Sequence, residues 1–158
     1  MSSIQNKFFI FLIVLCYIPV LFLGLFDVDE GAFASTSLQM IKQKQYLIPI
    51  IGDELRLEKP ILVYWVQVVS MYVFGANEFA LRLPSILASI IWAYCFSNFV
   101  KQHTHNVQRS EIFQNLLTLP GVFIISSAAT ADAFLNLFIT LLMINLFNYS
   151  IKRDDNSL

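Results

Sequence analysis

Residues 8–31, FFIFLIVLCYIPVLFLGLFDVDEG, join a long apolar run to an acidic end. The run is about as long as a helix that crosses a bilayer, which needs roughly 20 residues. No small-residue cleavage site follows it, so we interpret it as an uncleaved first span rather than a signal peptide. Asp29 and Glu30 then lie at the boundary of the membrane, where a carboxylate is costly unless it has a task or a partner.

The composition places the chain among integral membrane proteins. Hydrophobic residues make up 57% and charged residues only 13%, against about 25% charged residues in soluble domains. The net charge of -1 gives no basic surface for nucleic acid, and no phosphate-binding or dinucleotide-binding glycine signature is present. We therefore predict an all-α, polytopic fold and treat residues 1–158 as a single membrane domain.

The number of spans depends on whether the short apolar segment 61–75 crosses the membrane. If it crosses, five spans place two Lys and Arg residues inside and eight outside; if it does not, four spans place five on each side. The positive-inside rule prefers the second arrangement. We therefore predict about four transmembrane helices, with both termini in the cytoplasm. Residues 27–83 then form a long first outer loop that carries surface helices.

In the four-span arrangement, charged residues from separate segments face the same outer side: Asp29, Lys59, Arg82 and Asp132. The five-span alternative would place Asp132 on the cytoplasmic side, opposite Asp29. Two carboxylates with a lysine and an arginine indicate a site that handles a phosphorylated substrate dissolved in the membrane.

The order of these segments resembles the N-terminal part of a known enzyme family. An acidic pair follows the first span, then come KPILVYW at residues 59–65, GANEFALRLPS at residues 75–85, and a second aspartate at position 132. Together they resemble GT-C type glycosyltransferases that use polyprenyl phosphate. The aminoarabinose–lipid A transferases and the dolichyl-phosphate-mannose protein mannosyltransferases are the most similar groups. The resemblance extends over about residues 8–150.

The resemblance implies catalytic roles for Asp29, Glu30 and Asp132. Asp29 would act as the general base, or would hold a divalent metal, the one cofactor that the resemblance suggests. A carboxylate is suited to this step because inverting sugar transfer needs a base that takes the proton of the attacking acceptor. Asp132 matches the second aspartate of the family and would support the acceptor or the loop.

The resemblance also implies a binding role for cations and aromatic rings. Lys59 and Arg82 would bind the lipid phosphate, whose charge grows as it leaves. Tyr64 and Trp65 are candidates for stacking on a sugar, although an aromatic belt at the membrane interface is the alternative. Each charged residue also has a purely structural alternative: the aspartates could cap helices, and the cations could reach toward the interface as anchors.

The implied function is sugar transfer from a polyprenyl-phosphate donor to lipid A, an envelope glycan or a protein, in a bacterial inner membrane. Phe33 stands where the family commonly has tyrosine, Ile61 replaces a second proline, and Ala131 directly precedes the second aspartate. Family enzymes are several times longer, so we expect that this chain does not act alone and that a second polypeptide supplies the missing spans. The alternatives are a catalytically silent remnant and a lipid-phosphate-binding or accessory membrane protein.

Overall fold

The computed structural model of the protein describes residues 3–25, 28–104 and 107–155. Residue 27, the predicted start of the first outer loop, lies outside these ranges. The described part is 77% helical, with seven helices and one short hairpin. The elements, in chain order, are α1 (Ser3–Val20), α2 (Val28–Gln43), β1 (Ile50–Ile51), β2 (Glu54–Leu55), α3 (Ile61–Phe74), α4 (Glu78–His103), α5 (Arg109–Thr118), α6 (Pro120–Ser127) and α7 (Asp132–Asp155).

Two of the described helices are long and apolar enough to cross a membrane. They lie at Glu78–His103 within α4 and at Asp132–Ile151 within α7. Along α7, large apolar side chains such as Phe138 and Leu142 are exposed. An exposed apolar surface of this length is suited to lipid or to further protein and is costly in water.

The predicted count of four spans is not confirmed. α1 is apolar only over Lys7–Val20, and α3 has 14 residues. The apolar segment 112–129, which the four-span arrangement counts as one span, is divided at Leu119 into α5 and α6, which have 10 and 8 residues. The division occurs because Pro120 has no N–H to donate and favours an extended backbone at the residue before it. Leu119 has this extended conformation, with φ -65° and ψ 128°.

A two-stranded hairpin connects α2 to α3. β1 and β2 are antiparallel, with Ile50 opposite Leu55. The turn needs a positive φ of 63° at Gly52, which glycine adopts without the steric cost that a Cβ would add. The Gln39 side chain of α2 holds this turn with both ends of its amide: Nε2 donates to the Gly52 carbonyl at 2.7 Å, and Oε1 accepts from the Gly52 N–H at 3.1 Å.

The buried apolar core lies where α2, α3 and α4 meet. One cluster joins α2 to α3 and contains Phe33, Met40, Val63, Tyr64 and Val68. A second joins these helices to the start of α4 and to the junction between α6 and α7, and contains Ala34, Met71, Ala80, Leu81 and Ala129. The candidate residues from sequence therefore lie on elements that pack against one another, although they are far apart along the chain.

Candidate functional site

Glu30 and Arg82 form an ion pair in the interior. Both side chains are fully buried. Arg82 Nε donates to Glu30 Oε1 at 2.9 Å, and Nη2 donates to Oε2 at 2.8 Å. This two-point geometry is the strongest form of arginine–carboxylate pairing. Glu30 Oε1 also accepts the backbone N–H of Ala129 at 2.7 Å, so the pair connects α2, α4 and the junction between α6 and α7.

The remaining donors of Arg82 hold the chain that leaves α1. Nη1 donates to the carbonyls of Val20 and Leu23, both at 2.6 Å, and Nη2 donates to the carbonyl of Gly24 at 3.0 Å. A guanidinium has five N–H donors, and all five point to acceptors within the protein. Arg82, predicted to bind the lipid phosphate, therefore acts in this conformation as a connector of three segments.

Asp29 and Glu30 are adjacent in sequence but face different surroundings. Adjacent residues of a helix do not share a face, and on α2 the Glu30 side chain is buried while that of Asp29 is 57% exposed. The predicted acidic pair thus separates into one structural carboxylate inside the protein and one accessible carboxylate at its surface.

The segment before Asp132 is fixed by buried polar side chains. The Ala129 N–H binds Glu30, and the Ala129 carbonyl accepts from Gln67 Nε2 at 3.0 Å. Gln67 Oε1 in turn accepts from Ser37 Oγ at 2.8 Å. Asp132 is exposed at the first position of α7, and its Oδ2 accepts from Thr130 Oγ1 at 3.1 Å. The network therefore determines where the second aspartate lies.

Arg56, which the sequence did not single out, lies beside Asp29. Its Nη2 is 3.8 Å from Asp29 Oδ1, and its Nε is 3.8 Å from Glu58 Oε1. The side chain is only 6% exposed, and its Cζ lies 5.1 Å from the centre of the Phe33 ring. No motif marks Arg56 in the sequence. The one signal is Phe33 itself, a ring that attracts cations.

Lys59 approaches the same ring. Its Nζ lies 6.0 Å from the Phe33 ring centre, and the residue is half-buried just before α3 begins. Among the described residues, no carboxylate lies within ion-pair distance of this amine. We call the group formed by Asp29, Phe33, Arg56, Glu58 and Lys59 the Phe33 cluster. It brings together two predicted site residues, Asp29 and Lys59, and excludes Arg82.

The two aromatic candidates differ in exposure. Tyr64 is fully buried, and its ring packs on Phe33 with centroids 5.3 Å apart, so it presents no face to a sugar in this conformation. Trp65 is 40% exposed, and its Nε1 donates to the Tyr46 carbonyl at 2.7 Å. A hydrogen bond between the Tyr46 and Tyr72 hydroxyls, 2.7 Å long, raises the pKa of Tyr46. These contacts tie the hairpin loop to α3.

The predicted metal site at Asp29 stays a prediction. In the part of the chain that the structure describes, no three His, Cys, Asp or Glu residues are grouped as metal ligands. Glu58 is the second carboxylate near Asp29, but the Arg56 guanidinium approaches both of them. A divalent ion held by these two carboxylates would have to displace that guanidinium.

The sequence matches one known family over most of its length. The sequence profile of the dolichyl-phosphate-mannose-protein mannosyltransferases matches residues 58–157. An undecaprenyl phosphate-alpha-4-amino-4-deoxy-L-arabinose arabinosyl transferase of Wigglesworthia glossinidia brevipalpis is 30% identical over 147 residues, which is 90% of this chain and 26% of the relative. The corresponding enzyme of Shewanella sediminis is 25% identical over 83% of this chain and 24% of its own length.

The fold matches a solved structure as well. The crystal structure of ArnT from Cupriavidus metallidurans in the apo state superposes with a TM-score of 0.75 and 20% identity. The match covers 90% of this chain and 27% of that one. The chain thus spans about a quarter of the length of the curated relatives it matches, and it has the helical arrangement of one part of a larger membrane enzyme.

Proposed function

This chain belongs to the dolichyl-phosphate-mannose-protein mannosyltransferase family, and from that membership we propose that it contributes a catalytic site for sugar transfer. The donor is a sugar on polyprenyl phosphate, and the acceptor is lipid A, an envelope glycan or a protein at a bacterial inner membrane. The observation that carries the proposal is the Phe33 cluster, in which the exposed Asp29 carboxylate lies beside Arg56, and Arg56 and Lys59 both approach the Phe33 ring.

Asp29 is the proposed general base. The acceptor hydroxyl attacks the anomeric carbon, the bond from that carbon to the phosphate oxygen breaks, and the phosphate leaves with the electron pair. Asp29 takes the acceptor proton. An exposed carboxylate can meet an acceptor directly, whereas Glu30 is buried and already bonded. Asp29 therefore carries the base role of the predicted pair, and Glu30 positions it through α2.

Lys59 is the proposed ligand of the lipid phosphate. An ammonium is a compact point charge that can follow a leaving phosphate, and Lys59 has no carboxylate partner among the described residues. Arg56 adds positive charge to the same cluster. Arg82 was the other predicted phosphate ligand, but because its five donors are engaged inside the protein, we propose that it positions the site instead.

Asp132 and Trp65 complete the proposed site on the acceptor side. Asp132 is exposed at the start of α7, on a segment that the buried network fixes. Trp65 is the accessible aromatic residue of the predicted pair. A divalent metal could bind at Asp29 only if the Arg56 guanidinium were displaced. A chelator tests this: if the ion is required, EDTA abolishes transfer, and adding the ion back restores it.

The membrane arrangement proposed here keeps both termini in the cytoplasm. α4 and α7 have the length of spans, and we propose that α1 and the α5–α6 pair also lie within the bilayer, so that the Phe33 cluster faces outward. Because the chain spans about a quarter of its relatives, we propose that transfer also needs the remaining part of the family fold, from the same or a second polypeptide.

An alternative function is binding of a lipid phosphate without transfer, as an accessory protein. It is supported by the same cations around Phe33 and by the limited share of the family fold that the chain covers. The two functions differ in one respect: binding alone needs Lys59 but does not need the base Asp29.

The test compares Asp29→Asn and Lys59→Ala with matched controls in native membranes that contain both the polyprenyl-phosphate sugar donor and the remaining part of the family fold. Asp53→Asn, in the hairpin turn, controls for Asp29, and Lys42→Ala, on the exposed face of α2, controls for Lys59. We expect Asp29→Asn to lower transfer at least about 100-fold, the lower end of what a general base contributes, with donor binding kept.

Lys59→Ala should weaken donor binding about tenfold, as the loss of one charge-assisted contact does. Transfer that is equal in Asp29→Asn and Asp53→Asn would refute the base and leave the accessory function. Donor binding that is equal in Lys59→Ala and Lys42→Ala would refute both functions at this site.

A further inference from the structure

An apolar groove lies between α1, α4 and α5, and no residue of the Phe33 cluster lines it. Its volume is about 290 Å³. Its lining is apolar apart from one tyrosine and includes Val14, Ile18, Ile90 and Leu117. The side chains of Val14, Ile18 and Ile90 are each exposed by 40% or more, so the groove is open along its side rather than enclosed.

The groove continues into a second hollow that has a polar end. This hollow has a volume of about 300 Å³ and shares Ile10, Ile13 and Phe113 with the groove. Tyr94, Arg109 and other polar residues line its far end. Along α1, the residues that line the trough extend from Ile10 to Ile18, about 12 Å at the helical rise of about 1.5 Å per residue.

Arg109 provides a positive charge at the mouth of the trough. Its Cζ lies 5.2 Å from the centre of the Tyr94 ring, and its Nη1 donates to Asn98 Oδ1 at 3.2 Å. Both partners are neutral. Within the described ranges, Arg109 forms no ion pair, and its side chain is exposed. Its charge is thus oriented by a ring and an amide but is not neutralised.

We propose that this trough binds an anionic glycerophospholipid, with one acyl chain in the apolar groove and the phosphate on Arg109. An apolar groove that continues to a single cation matches an amphiphile with an apolar tail and an anionic head. The planar guanidinium suits a phosphate because it can donate to two oxygens at once. Its position six residues after the end of α4, a helix long enough to span, puts the cation at headgroup depth.

The charge of Arg109 makes the trough prefer anionic phospholipids, while the apolar groove contributes affinity for the acyl chain of any phospholipid. An acyl chain of any phospholipid fits the apolar part equally, so the groove alone does not distinguish lipids. Attraction of an anionic headgroup to one basic residue changes binding by about fivefold. The trough should therefore hold anionic phospholipids about fivefold more tightly than zwitterionic ones with the same chains.

The test uses the full chain in nanodiscs that contain equal amounts of phosphatidylglycerol and phosphatidylcholine with identical acyl chains. Native mass spectrometry then measures the ratio of the two lipids that stay bound. Arg109→Gln removes the charge, Arg109→Lys keeps it, and Ile90→Trp fills the groove. Lys42→Gln, a cation on the exposed face of α2, is the matched control. Circular dichroism confirms that each variant keeps its helical content.

We expect the wild-type chain and Lys42→Gln to retain phosphatidylglycerol preferentially. Arg109→Gln should lower the ratio about fivefold, Arg109→Lys should keep much of it, and Ile90→Trp should reduce both bound lipids. An unchanged ratio in Arg109→Gln, or an equal decrease in Lys42→Gln, would overturn the proposal. So would a dimer that Ile90→Trp converts to a monomer with the lipid ratio unchanged, since a second copy would then occupy the groove.

Discussion

Replacing Arg82 by methionine tests whether the buried ion pair holds the site together. Methionine keeps a long side chain and fills much of the same space, so packing changes little while all five N–H donors are lost. The change leaves the Glu30 carboxylate buried without its arginine, while the Ala129 N–H still donates to it. It also removes the donors that bind the carbonyls of Val20, Leu23 and Gly24.

The expected cost follows from what is left unpaired. Removing one partner of a buried ion pair destabilises a protein by about 3–5 kcal/mol. For a chain of this size, about 1 kcal/mol shifts the unfolding midpoint by roughly 2–4 °C. We therefore expect the Tm of Arg82→Met to fall by about 10 °C.

The assay is thermal unfolding of the purified chain in detergent micelles, followed by circular dichroism. Arg109→Met is the matched control, because Arg109 is exposed and contacts the neutral side chains of Asn98 and Tyr94. Glu30→Leu and the Glu30→Leu/Arg82→Met double variant complete a double-mutant cycle. Since the two residues act as a pair, the double variant should lose about 2–3 kcal/mol less than the sum of the single variants.

Either of two results would refute this reasoning. A Tm for Arg82→Met within 2 °C of the Arg109→Met value would mean that the interior pair contributes little, against an expectation of about 10 °C. Additive losses in the double-mutant cycle would mean that Glu30 and Arg82 stabilise the chain independently and not through each other.

Three further predictions concern single side chains. Tyr64→Phe should change Tm little, because no described residue forms a well-aligned hydrogen bond of 3.5 Å or less with the buried Tyr64 hydroxyl, although Arg56 and Thr36 lie near it. A clear decrease of the Tm in thermal unfolding would contradict this. Gln67→Leu should cost about 1–3 kcal/mol, because the buried Ala129 carbonyl loses its donor, and denaturant unfolding would measure it against a Gln43→Leu control at the exposed end of α2. Arg56→Gln should weaken donor binding less than Lys59→Ala, since Arg56 lies deeper in the cluster; an equal or greater effect in the same binding assay would reverse the roles.

Single helices and turns could be predicted from the sequence, because they depend on residues that are close together along the chain. The helical spacing after Asp29 predicts α2, and Gly52-Asp53 predicts the turn that the hairpin contains. The 14 residues of α3 match a segment predicted to be too short for a span. The resemblance to a glycosyltransferase family rests on several motifs that follow one another in the order typical of that family. It is confirmed by the family profile and by the fold.

The inner geometry was not accessible, because it depends on contacts between distant parts of the chain. Glu30 and Arg82 are 52 residues apart, and Glu30 and Ala129 are 99 apart. In the sequence alone, Glu30 and Arg82 each have the pattern of a charged residue at a membrane boundary. Arg56 belongs to no motif. It contacts Phe33 because the hairpin packs against α2.

The long reach of the Glu30–Arg82 pair constrains the order of events while the ribosome makes the chain. At roughly 5–20 residues per second, Arg82 emerges about 3–10 s after Glu30, and Ala129 emerges several seconds later still. Until then, the carboxylate of Glu30 must stay hydrated or form temporary contacts with the translocation machinery. The contact between Glu30 and Ala129 therefore forms only after synthesis has passed the junction between α6 and α7, and the position of the neighbouring Asp29, the proposed base, is fixed late.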